Sequence, residues 1–358
     1  MIKRLTLTNF RNHETLRIEP ALKNIILVGP NGIGKTNILE AVSLLNGGMG
    51  LRKDAAPEMA RFGQDNFAIH ADLADGNTLT VHWSDGMPGR RAKLNGEFSI
   101  LSELAHKLSI LWLTPRESML FQDSPSGRRA FFDNLISGYD SHHIGRVMRL
   151  SKLLSERAFA LRNNPDPGWM DIIEENITAS AVAVADSRVR WVGEMSHFLQ
   201  AQPATGSFGL LLIRLDGLLE KQLTDGIKPG DIELEYMRYL SENRFLTADK
   251  QVINGAHKTD FSVLDARRGL SADRLSSGQQ KMVLNKLIIA NSKLLAAKNP
   301  DRPIIMLLDE ADGHLDKAAR QEVFSALDGI GAQVWMSGTD ASAFKDANGA
   351  EVIGITTL

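Results

Sequence analysis

The first third of the chain alternates apolar and polar residues, a pattern that predicts β-strands. Alternation runs through residues 3–10 and 16–20, and it returns at 67–86, where a central Asp-Gly-Asn supplies the turn of a hairpin. Residues 24–29 (NIILVG) are almost entirely apolar, which is typical of a strand buried on both faces of a sheet. A helix is predicted at 35–46, directly after a glycine-rich turn.

The middle of the chain has the spacing of long helices. In residues 142–162 the apolar positions that recur at helical spacing are Val147, Leu150, Leu154, Ala158 and Leu161. Residues 163–168 (NNPDPG) break that helix, and 169–200 predict a second one. Two long helices joined by a proline- and glycine-containing turn predict an antiparallel pair or an arm.

The last part of the chain returns to a mixture of strands and helices. The predicted order is a strand at 231–239, a strand at 257–265, a helix opened by 275–280, a strand at 303–309, a helix at 317–328 and a strand at 332–338. The ends therefore have α/β character and the middle is helical. This pattern predicts a discontinuous head, residues 1–122 and 245–358, with an inserted helical arm domain at 123–244.

Composition narrows the class of protein. A chain of 358 residues predicts a large domain plus a second unit, and 43% hydrophobic residues are enough for a real core. The absence of cysteine excludes disulfides and thiolate metal sites and favours a cytoplasmic setting. We expect neither a signal peptide nor a membrane partner, because no apolar run is long enough. The net charge of −2 means that any DNA-binding surface must be a local basic patch.

Residues 29–36 (GPNGIGKT) fit the phosphate-binding pattern G-x-x-x-x-G-K-[ST], and they lie between a predicted strand and a predicted helix as that pattern requires. The glycines let the backbone N–H groups point at phosphates. We expect Lys35 to reach the β and γ phosphates and the Thr36 hydroxyl to bind Mg²⁺. A chance glycine-rich turn is the alternative, and the register of strand, motif and helix disfavours it. The expected ATP contacts here are Gly29, Pro30, Asn31, Gly32, Ile33, Gly34, Lys35, Thr36 and Asn37.

The second half of a nucleotide site should be a buried strand that ends in an acid. Residues 303–310 (PIIMLLDE) meet this requirement. Asp309 is expected to hold Mg²⁺ directly or through water, and Glu310 to act as the general base on the attacking water. An acidic pair that merely caps a strand is the alternative, and the phosphate-binding loop makes it the weaker one. Lys35, Asp309 and Glu310 are thus the candidate catalytic residues.

Residues 275–280 (LSSGQQ) resemble the L-S-G-G-Q turn of ATPases related to the ABC transporters. In those proteins the turn of one subunit covers the γ-phosphate bound to the other subunit, so that ATP joins two copies and hydrolysis releases them. The resemblance implies an ATP-dependent homodimer, with donors to phosphate from the start of the following helix. The implied ATP contacts are Ser276, Ser277, Gly278 and Gln279. The implied dimer interface includes Ser276, Gly278 and Asp316, the last at the end of the segment ADGHLD.

Four short segments resemble one family more specifically. They are NFRN at 9–12, RRAFFD at 128–133, HKTDF at 257–261 and SGTD at 337–340. With them, the chain resembles the RecF family of bacterial recombination mediator ATPases along nearly its whole length. That resemblance implies an α/β, ABC-type P-loop ATPase head with a helical arm and a weak, DNA-stimulated ATPase activity. It also implies duplex DNA and single-strand/double-strand junctions beside gaps as ligands, RecR and RecO as partners, loading of RecA onto gapped DNA, and a nucleoid-associated location in the bacterial cytoplasm.

DNA contacts are expected from lysines and arginines on the predicted arm. Arg146, Arg149 and Lys152 share a face of the first arm helix, and Arg188 and Arg190 flank a tryptophan in the second. An ordinary solvated helix face is an equally good interpretation. His257 and Asp260 match the family segment, but the residues alone suggest no mechanism for them.

Several other classes share a nucleotide-binding head. A transporter ATPase would have a shorter span between the loop and the signature, and a histidine after the last core strand. A chromosome-condensing or break-repair head would carry a long coiled coil, often with a Cys-x-x-Cys hook. An OLD-type nuclease would add an acidic metal-binding domain. A non-enzymatic DNA clamp would bind ATP without turning it over, and an ABC-type ATPase subunit could be activated by a protein partner instead of DNA.

Overall fold

The computed structural model describes residues 1–358 except 164–165, 202–209, 245–252, 315–316, 318–320, 322–324, 326–328, 330, 346, 348 and 357–358. The chain divides into two compact units. The first unit is Met1–Met119 with Lys281–Leu358, and the second unit is Leu120–Gln280.

Secondary-structure elements cover most of the described residues. The strands there are β1 (Ile2–Phe10), β2 (His13–Ile18), β3 (Asn24–Val28), β4 (Asn66–Leu73), β5 (Thr78–Ser84), β6 (Arg91–Leu94), β7 (Glu97–Ser99), β8 (Ser109–Leu113), β9 (Leu211–Asp216), β10 (Asp260–Asp265), β11 (Leu270–Ser271), β12 (Ile304–Leu308), β13 (Gln333–Gly338) and β14 (Ala350–Gly354). The helices there are α1 (Lys35–Leu44), α2 (Ala56–Met59), α3 (Leu101–Leu104), α4 (Pro125–Tyr139), α5 (His143–Arg162), α6 (Pro167–Ala201), α7 (Leu218–Thr224), α8 (Pro229–Glu242), α9 (Ser277–Lys298) and α10 (Ala311–His314).

The first unit contains a parallel sheet with the strand order β14-β3-β13-β12-β8. Its central strands β3, β12 and β13 are buried along almost their whole length, which agrees with the mainly apolar sequences at 24–28, 304–308 and 333–338. Because β3, β13 and β12 are neighbours and run in the same direction, their carboxyl ends meet at one edge. The loops after those strands are therefore brought together.

A six-stranded antiparallel sheet, ordered β2-β1-β4-β5-β6-β7, forms the rest of the β-structure of the first unit. In β4 and β5 every second residue is buried, so that one face of the sheet packs inward and the other faces solvent. The buried face joins the same hydrophobic cluster as α1, through residues such as Phe67, Val81 and Val42.

The second unit is built around the helices α5 and α6, which pack against each other. A core of Ile173, Ile177 and Ala181 from α6, with Ile232 and Tyr236 from α8, fills its interior. A small antiparallel sheet, ordered β11-β10-β9, belongs to this unit. Within the described part of the chain, no helix combines the length and the apolarity needed to cross a membrane.

The structure differs from the predicted strand at 231–239, which lies inside helix α8, so that prediction was wrong. Pro229 opens the helix, and the buried residues Ile232, Tyr236 and Leu240 recur every four positions, which is helical spacing. The alternating charges of this segment resemble a strand pattern, but the burial of one helical stripe decides the conformation.

The boundary between the two units also differs from the predicted return to the head at residue 245. Residues 253–280 belong to the second unit, because β10 pairs with β9 along its whole length. The functional division into a head and an arm stays a prediction. Most of the helix predicted at 317–328 lies outside the described residues.

Candidate nucleotide-binding site

The phosphate-binding loop spans residues 29–36 between the end of β3 and the start of α1, as predicted. Gly32 and Gly34 have φ angles of 82° and 110°, a region that side chains rarely adopt. A Cβ on Gly34 would also lie 2.5 Å from the Asn12 amide oxygen. Glycine is therefore required there both by the backbone conformation and by the close approach of the β1–β2 turn.

Lys35 is buried at the base of this loop. Its ammonium donates hydrogen bonds to the carbonyl oxygens of Gly29, at 2.6 Å, and Pro30, at 2.9 Å. The side chain also lines a cleft of about 740 Å³ over the loop. The positive charge is thus held in the cleft, where the loop is predicted to surround a phosphate.

Thr36 and Asp309 meet across the edge of the parallel sheet. The Thr36 hydroxyl donates to the Asp309 carboxylate, with oxygen–oxygen distances of 3.0 and 3.2 Å. These residues are 273 positions apart in the chain. The sheet order brings them together, because β12 is separated from β3 only by β13.

Ser337 completes this acidic corner, and its residue type alone predicted no role for it. Its hydroxyl donates to Asp309 at 2.6 Å and accepts the backbone N–H of Glu310 at 2.9 Å. Glu310 has a φ of 49°, so the bond to Ser337 stabilises an uncommon backbone conformation. The sequence feature that could have indicated this role is the position of Ser337 at the end of a mainly apolar strand, in the family-like segment SGTD at 337–340.

The far wall of the cleft comes from the segment after β13. Asp312 accepts hydrogen bonds from the backbone N–H of Thr339 at 2.6 Å and from its hydroxyl at 2.7 Å. The cleft is lined by Asn31, Gly32, Gly34, Lys35, Thr36, Asn37, Arg52, Glu310, Asp312, Ser337, Gly338, Thr339, Asp340 and Ala343. All of these residues belong to the first unit.

The turn between β1 and β2 supports the loop from below. The Asn12 amide donates to the Ile33 carbonyl oxygen at 2.8 Å and accepts from the Asn37 amide at 2.7 Å. His13 lies 3.2 Å from the Gly34 carbonyl oxygen, and burial lowers the pKa of its imidazole. The segment NFRN, noted only for its resemblance, is therefore a brace for the nucleotide site.

The buried carboxylate of Glu40 forms hydrogen bonds with two arginines, Arg11 and Arg52, beside the β1–β2 turn. Glu40 on α1 receives two hydrogen bonds from the Arg11 guanidinium, at 2.6 and 2.9 Å, and a third from Arg52 at 3.1 Å. Arg52 also lines the cleft. Glu40 thus holds the Arg52 guanidinium at the rim of the cleft. The sequence did not predict this role, because Glu40 lies in a mainly apolar helix.

The signature turn lies at the start of α9. Ser276 and Gln279 form a reciprocal cap, in which the Ser276 N–H donates to the Gln279 amide oxygen and the Gln279 N–H donates to the Ser276 hydroxyl. Gln280 is buried and donates to the Leu275 carbonyl oxygen at 3.0 Å. Ser276, Ser277 and Gly278 are exposed. The turn is therefore a capped, solvent-facing helix start in the second unit, and Asp316 lies outside the described residues.

Arg188 corrects one of the predicted DNA contacts. It is only 2% exposed, and its guanidinium donates to both carboxylate oxygens of Asp133 at 2.9 Å. It also donates to Glu220 at 3.1 Å and to the Ala256 carbonyl oxygen at 2.5 Å. A guanidinium whose donors are used inside the core cannot bind phosphate at the surface, so the assignment of Arg188 was wrong.

The other arm cations are at the surface, and each has a protein partner. Arg146 pairs with Asp140 at 2.5 Å, Lys152 with Glu156 at 3.6 Å and Arg190 with Asp186 at 2.8 Å, while Arg149 donates to the Asn176 amide oxygen at 2.8 Å. Their role in DNA binding stays a prediction.

The family segments at 128–133 and 257–261 contact each other within the second unit. Arg128 donates two hydrogen bonds to Asp260, at 2.6 and 2.8 Å, and Arg129 donates to the Thr259 carbonyl oxygen at 3.0 Å. Burial, with the nearby charge of Lys258, lowers the pKa of His257 to about 4. These residues therefore hold α4 against β10, which gives Asp260 a structural role.

Comparison with known proteins identifies the class to which this fold and site belong. The RecF/RecN/SMC N terminal domain family matches residues 1–358. A solved structure of the recombination mediator protein RecF-ATPrS in the RecFOR pathway has a TM-score of 0.84 and 20% identity, covering 100% of this chain and 96% of that one. The SMC head bound to the C-winged helix domain of ScpA has a TM-score of 0.53 and 16% identity, covering 99% and 94%. The mixed α/β fold is thus that of the RecF and SMC ATPase heads.

Sequence comparison is more specific than the fold. The DNA replication and repair protein RecF of Rhizobium meliloti (strain 1021) is 33% identical over 353 residues, which cover 96% of this chain and 93% of that protein. RecF of Rhizobium leguminosarum bv. trifolii (strain WSM2304) is 35% identical over 361 residues, covering 96% and 94%. The chain therefore belongs to the RecF family, as its four short segments indicated.

Proposed function

We propose that this protein is an ATP-dependent, DNA-binding recombination mediator that closes as a homodimer on ATP and opens after slow hydrolysis. The observation that carries the proposal is the hydrogen-bonded chain of Thr36, Asp309 and Ser337 beside the phosphate-binding loop, with Glu310 on the same cleft. The relatives named RecF, and the RecF structures with ATP or ATPrS, support ATP as the nucleotide.

The donor set at this corner fits Mg²⁺. Thr36 and Asp309 present a hydroxyl and a carboxylate oxygen 3.0 Å apart, and hard oxygen ligands of this kind are those that Mg²⁺ prefers. These two residues would hold the ion, which would neutralise charge on the β and γ phosphates. Ser337 fixes the orientation of the Asp309 carboxylate through its hydrogen bond.

The chemical step assigned to this chain is a proton transfer at Glu310. Its carboxylate lines the cleft and is suited to accept a proton from water as the water oxygen bonds to the γ-phosphorus. The bond from that phosphorus to the bridging oxygen of ADP breaks, and phosphate leaves. Lys35 and the loop N–H groups stabilise the charge on the transferred group.

The signature turn supports dimer formation. The residues that line the cleft come from the first unit, whereas Ser276, Ser277 and Gly278 are exposed at a capped helix start in the second unit. Exposed N–H groups at the start of a helix attract phosphate. We therefore assign them, with Gln279 and Asp316, to the ATP bound by a second copy.

The proposed ligands and partners are those that family membership implies. They are duplex DNA and junctions beside single-stranded gaps, RecR and RecO as protein partners, and RecA as the recombinase that is loaded, all in the bacterial cytoplasm. Arg146, Arg149, Lys152 and Arg190 remain the arm residues proposed to contact duplex DNA, now without Arg188.

ATP hydrolysis, measured with and without a short duplex at low and near-physiological salt, tests the proposal. We expect a slow rate that rises with duplex and loses that rise as salt increases, since phosphate contacts weaken with salt. Glu310→Gln should bind ATP without turnover and accumulate as a dimer by mass. A rate indifferent to duplex at both salts would refute DNA as the activator and favour the alternative, an ABC-type ATPase subunit activated by a protein partner.

A further inference from the structure

The outer face of the antiparallel sheet in the first unit carries a second cluster of cations. In β5 the residues Leu79, Val81 and Trp83 are buried, so the alternate residue His82 faces outward. His82 lies opposite Arg91 in the β5–β6 register, and Lys93 lies opposite Phe98 in the β6–β7 register. We call His82, Arg91, Lys93 and Phe98 the sheet platform.

One member of the sheet platform is an exposed aromatic ring, Phe98 on the edge strand β7. Phe98 is 78% exposed, so most of its side chain is accessible to a ligand. The Lys93 ammonium lies 5.0 Å from its ring centroid, and the His82 ring lies 6.4 Å away at an angle of 52°. The ring is therefore positioned by a cation and an imidazole and still presents most of its surface to solvent.

The cations of the sheet platform differ from those of the arm. Neither Arg91 nor Lys93 has a carboxylate partner among the residues that the structure describes, whereas Arg146, Lys152 and Arg190 all pair with acids. Burial lowers the pKa of His82, and the charges of Lys93 and Arg91 lower it further. Unpaired cations can neutralise phosphate without first breaking an ion pair.

Acidic side chains do not oppose these positive charges on the platform strands. Glu97 neighbours Phe98 in β7 and so points to the opposite face of the sheet. The outward carboxylate of β4, Asp72, is paired with Arg4 and lies 2.9 Å from the His70 imidazole. The platform thus combines positive charge with a free aromatic face, which is the chemistry that single-stranded nucleic acid requires.

We propose that the sheet platform binds unpaired nucleotides of single-stranded DNA, with a base stacked on Phe98 and the adjoining phosphates held by Arg91 and Lys93. This inference rests on the proposed function, to which it adds a contact for the single-stranded side of a junction. Double-stranded DNA fits the platform less well, because a paired base does not expose its face to an isolated ring.

Fluorescence anisotropy of the full chain with ATP tests the platform on three labelled probes: oligo(dT), a blunt duplex and the same duplex with a single-stranded tail. Phe98→Ala is compared with Phe159→Ala, which removes an aromatic side chain of similar exposure, 68%, from α5. We expect Phe98→Ala to weaken oligo(dT) binding about tenfold, as loss of one stacked base does. It should also abolish any preference for the tailed over the blunt duplex, with blunt-duplex binding and ATP turnover unchanged.

The charged residues have their own readout. Lys93→Ala should reduce the slope of log affinity for oligo(dT) against log salt by about 0.7, the value for one phosphate contact on a single strand, whereas Lys23→Ala on the same unit should not. A slope unchanged by Lys93→Ala would remove the proposed phosphate contact.

The outcomes separate this inference from the proposed function. If the wild-type protein binds blunt duplex but Phe98→Ala and Phe159→Ala bind oligo(dT) equally, the platform is wrong and the mediator proposal stands. If Phe98→Ala changes the mass of the DNA-free protein, the edge strand β7 pairs copies of the chain and the platform is overturned as well. If the wild type binds none of the three probes, DNA binding itself is refuted.

Discussion

At the corner of the cleft, the hydroxyl group of Ser337 forms hydrogen bonds with both acidic residues, Asp309 and Glu310. Ser337 orients Asp309 through a 2.6 Å bond and fixes the backbone of Glu310 through a 2.9 Å bond. Asp309 in turn accepts the hydroxyl of Thr36 at the phosphate-binding loop. The geometry of the proposed catalytic pair therefore depends on a side chain to which we assign no chemical step of its own.

Replacing Ser337 by alanine should slow hydrolysis more than it weakens ATP binding. A lost hydrogen bond to a charged group costs about 1.5–3 kcal/mol, which corresponds to roughly ten- to a hundredfold in turnover. Steady-state ATPase assays and ATP titration measure the two effects. Ser342→Ala is the matched control, because Ser342 donates to Asp340 on the exposed loop. Equal turnover in the two variants would contradict the orienting role of Ser337.

At the scale of elements, Arg188 connects α6 to α4, α7 and the segment before β10. Its partners Asp133, Glu220 and the Ala256 carbonyl oxygen come from three different parts of the second unit. The guanidinium also lies 5.6 Å from the Phe261 ring centroid. A charge in this position holds the packing of the helices, and its removal would leave two buried carboxylates without their cation.

Arg188→Ala should lower the free energy of unfolding of the second unit by about 3–5 kcal/mol, the cost of breaking a buried ion pair on one side. Arg190 lies two residues further on α6, is mostly exposed and pairs with Asp186. Its replacement by alanine should change that free energy by no more than about 0.5 kcal/mol. Urea unfolding followed by circular dichroism compares the two, and similar midpoints would count against the buried network.

The same network predicts a loss of stability in acid. Burial alone raises the pKa of Asp133, but the charge of Arg188 and hydrogen bonds from His143 and Arg188 outweigh it and lower the pKa to about 2. A carboxylate with a folded pKa below its unfolded value of 3.8 stabilises the fold above that value. Its contribution, about 2 kcal/mol, is lost as the pH falls from about 4 to 2.

Unfolding free energies of the wild type and Asp133→Asn over that pH range measure this effect. As the pH falls, the unfolding free energy of the wild type should decline more steeply than that of Asp133→Asn. The difference in slope should correspond to at most one proton taken up on unfolding, because residue 133 titrates only in the wild type. Parallel pH profiles for the two proteins would show that Asp133 is not responsible.

For the whole molecule, the relevant feature is that the proposed ATP contacts are divided between the two units. The loop, the acidic pair and the cleft lie in the first unit, and the capped turn at Ser276 lies in the second. The proposed dimer makes each nucleotide a bridge between copies. Binding of ATP and assembly would then be the same event, and turnover would set the lifetime of the assembly.

Ser276→Arg should abolish ATP-dependent dimer formation while the monomer still binds ATP, because a bulky cation at the turn blocks the approach of the second copy. Light scattering with ATP, in the Glu310→Gln background that prevents turnover, gives the mass directly. Ser241→Arg, an exposed substitution at the end of α8, serves as the control for an added charge. If the Ser276→Arg protein still doubled its mass with ATP, the shared-site arrangement would be refuted.

Local patterns were sufficient for three of the parallel strands, β3, β12 and β13, for the long helices α5 and α6, and for the phosphate-binding loop. Each of these depends on residues close together in sequence: an unbroken apolar run, a helical stripe, or a glycine-rich turn between a strand and a helix. The segment 231–239 shows the limit of such patterns. Its alternating charges suggest a strand, but burial of Ile232 and Tyr236 against the core of the second unit stabilises a helix.

The sequence by itself determined the family and singled out Lys35, Thr36, Asp309 and Glu310 as the candidate site residues, because their residue types in that spacing are typical of phosphate and Mg²⁺ chemistry. Only the tertiary structure decided which polar residues are neighbours. It made Ser337 the partner of both acids, buried Arg188 in the core instead of leaving it for DNA, and placed Lys93 beside the exposed Phe98, with Arg91 on the same face of the sheet. The physical reason is that burial and pairing depend on contacts between distant segments, which strand order and helix packing create.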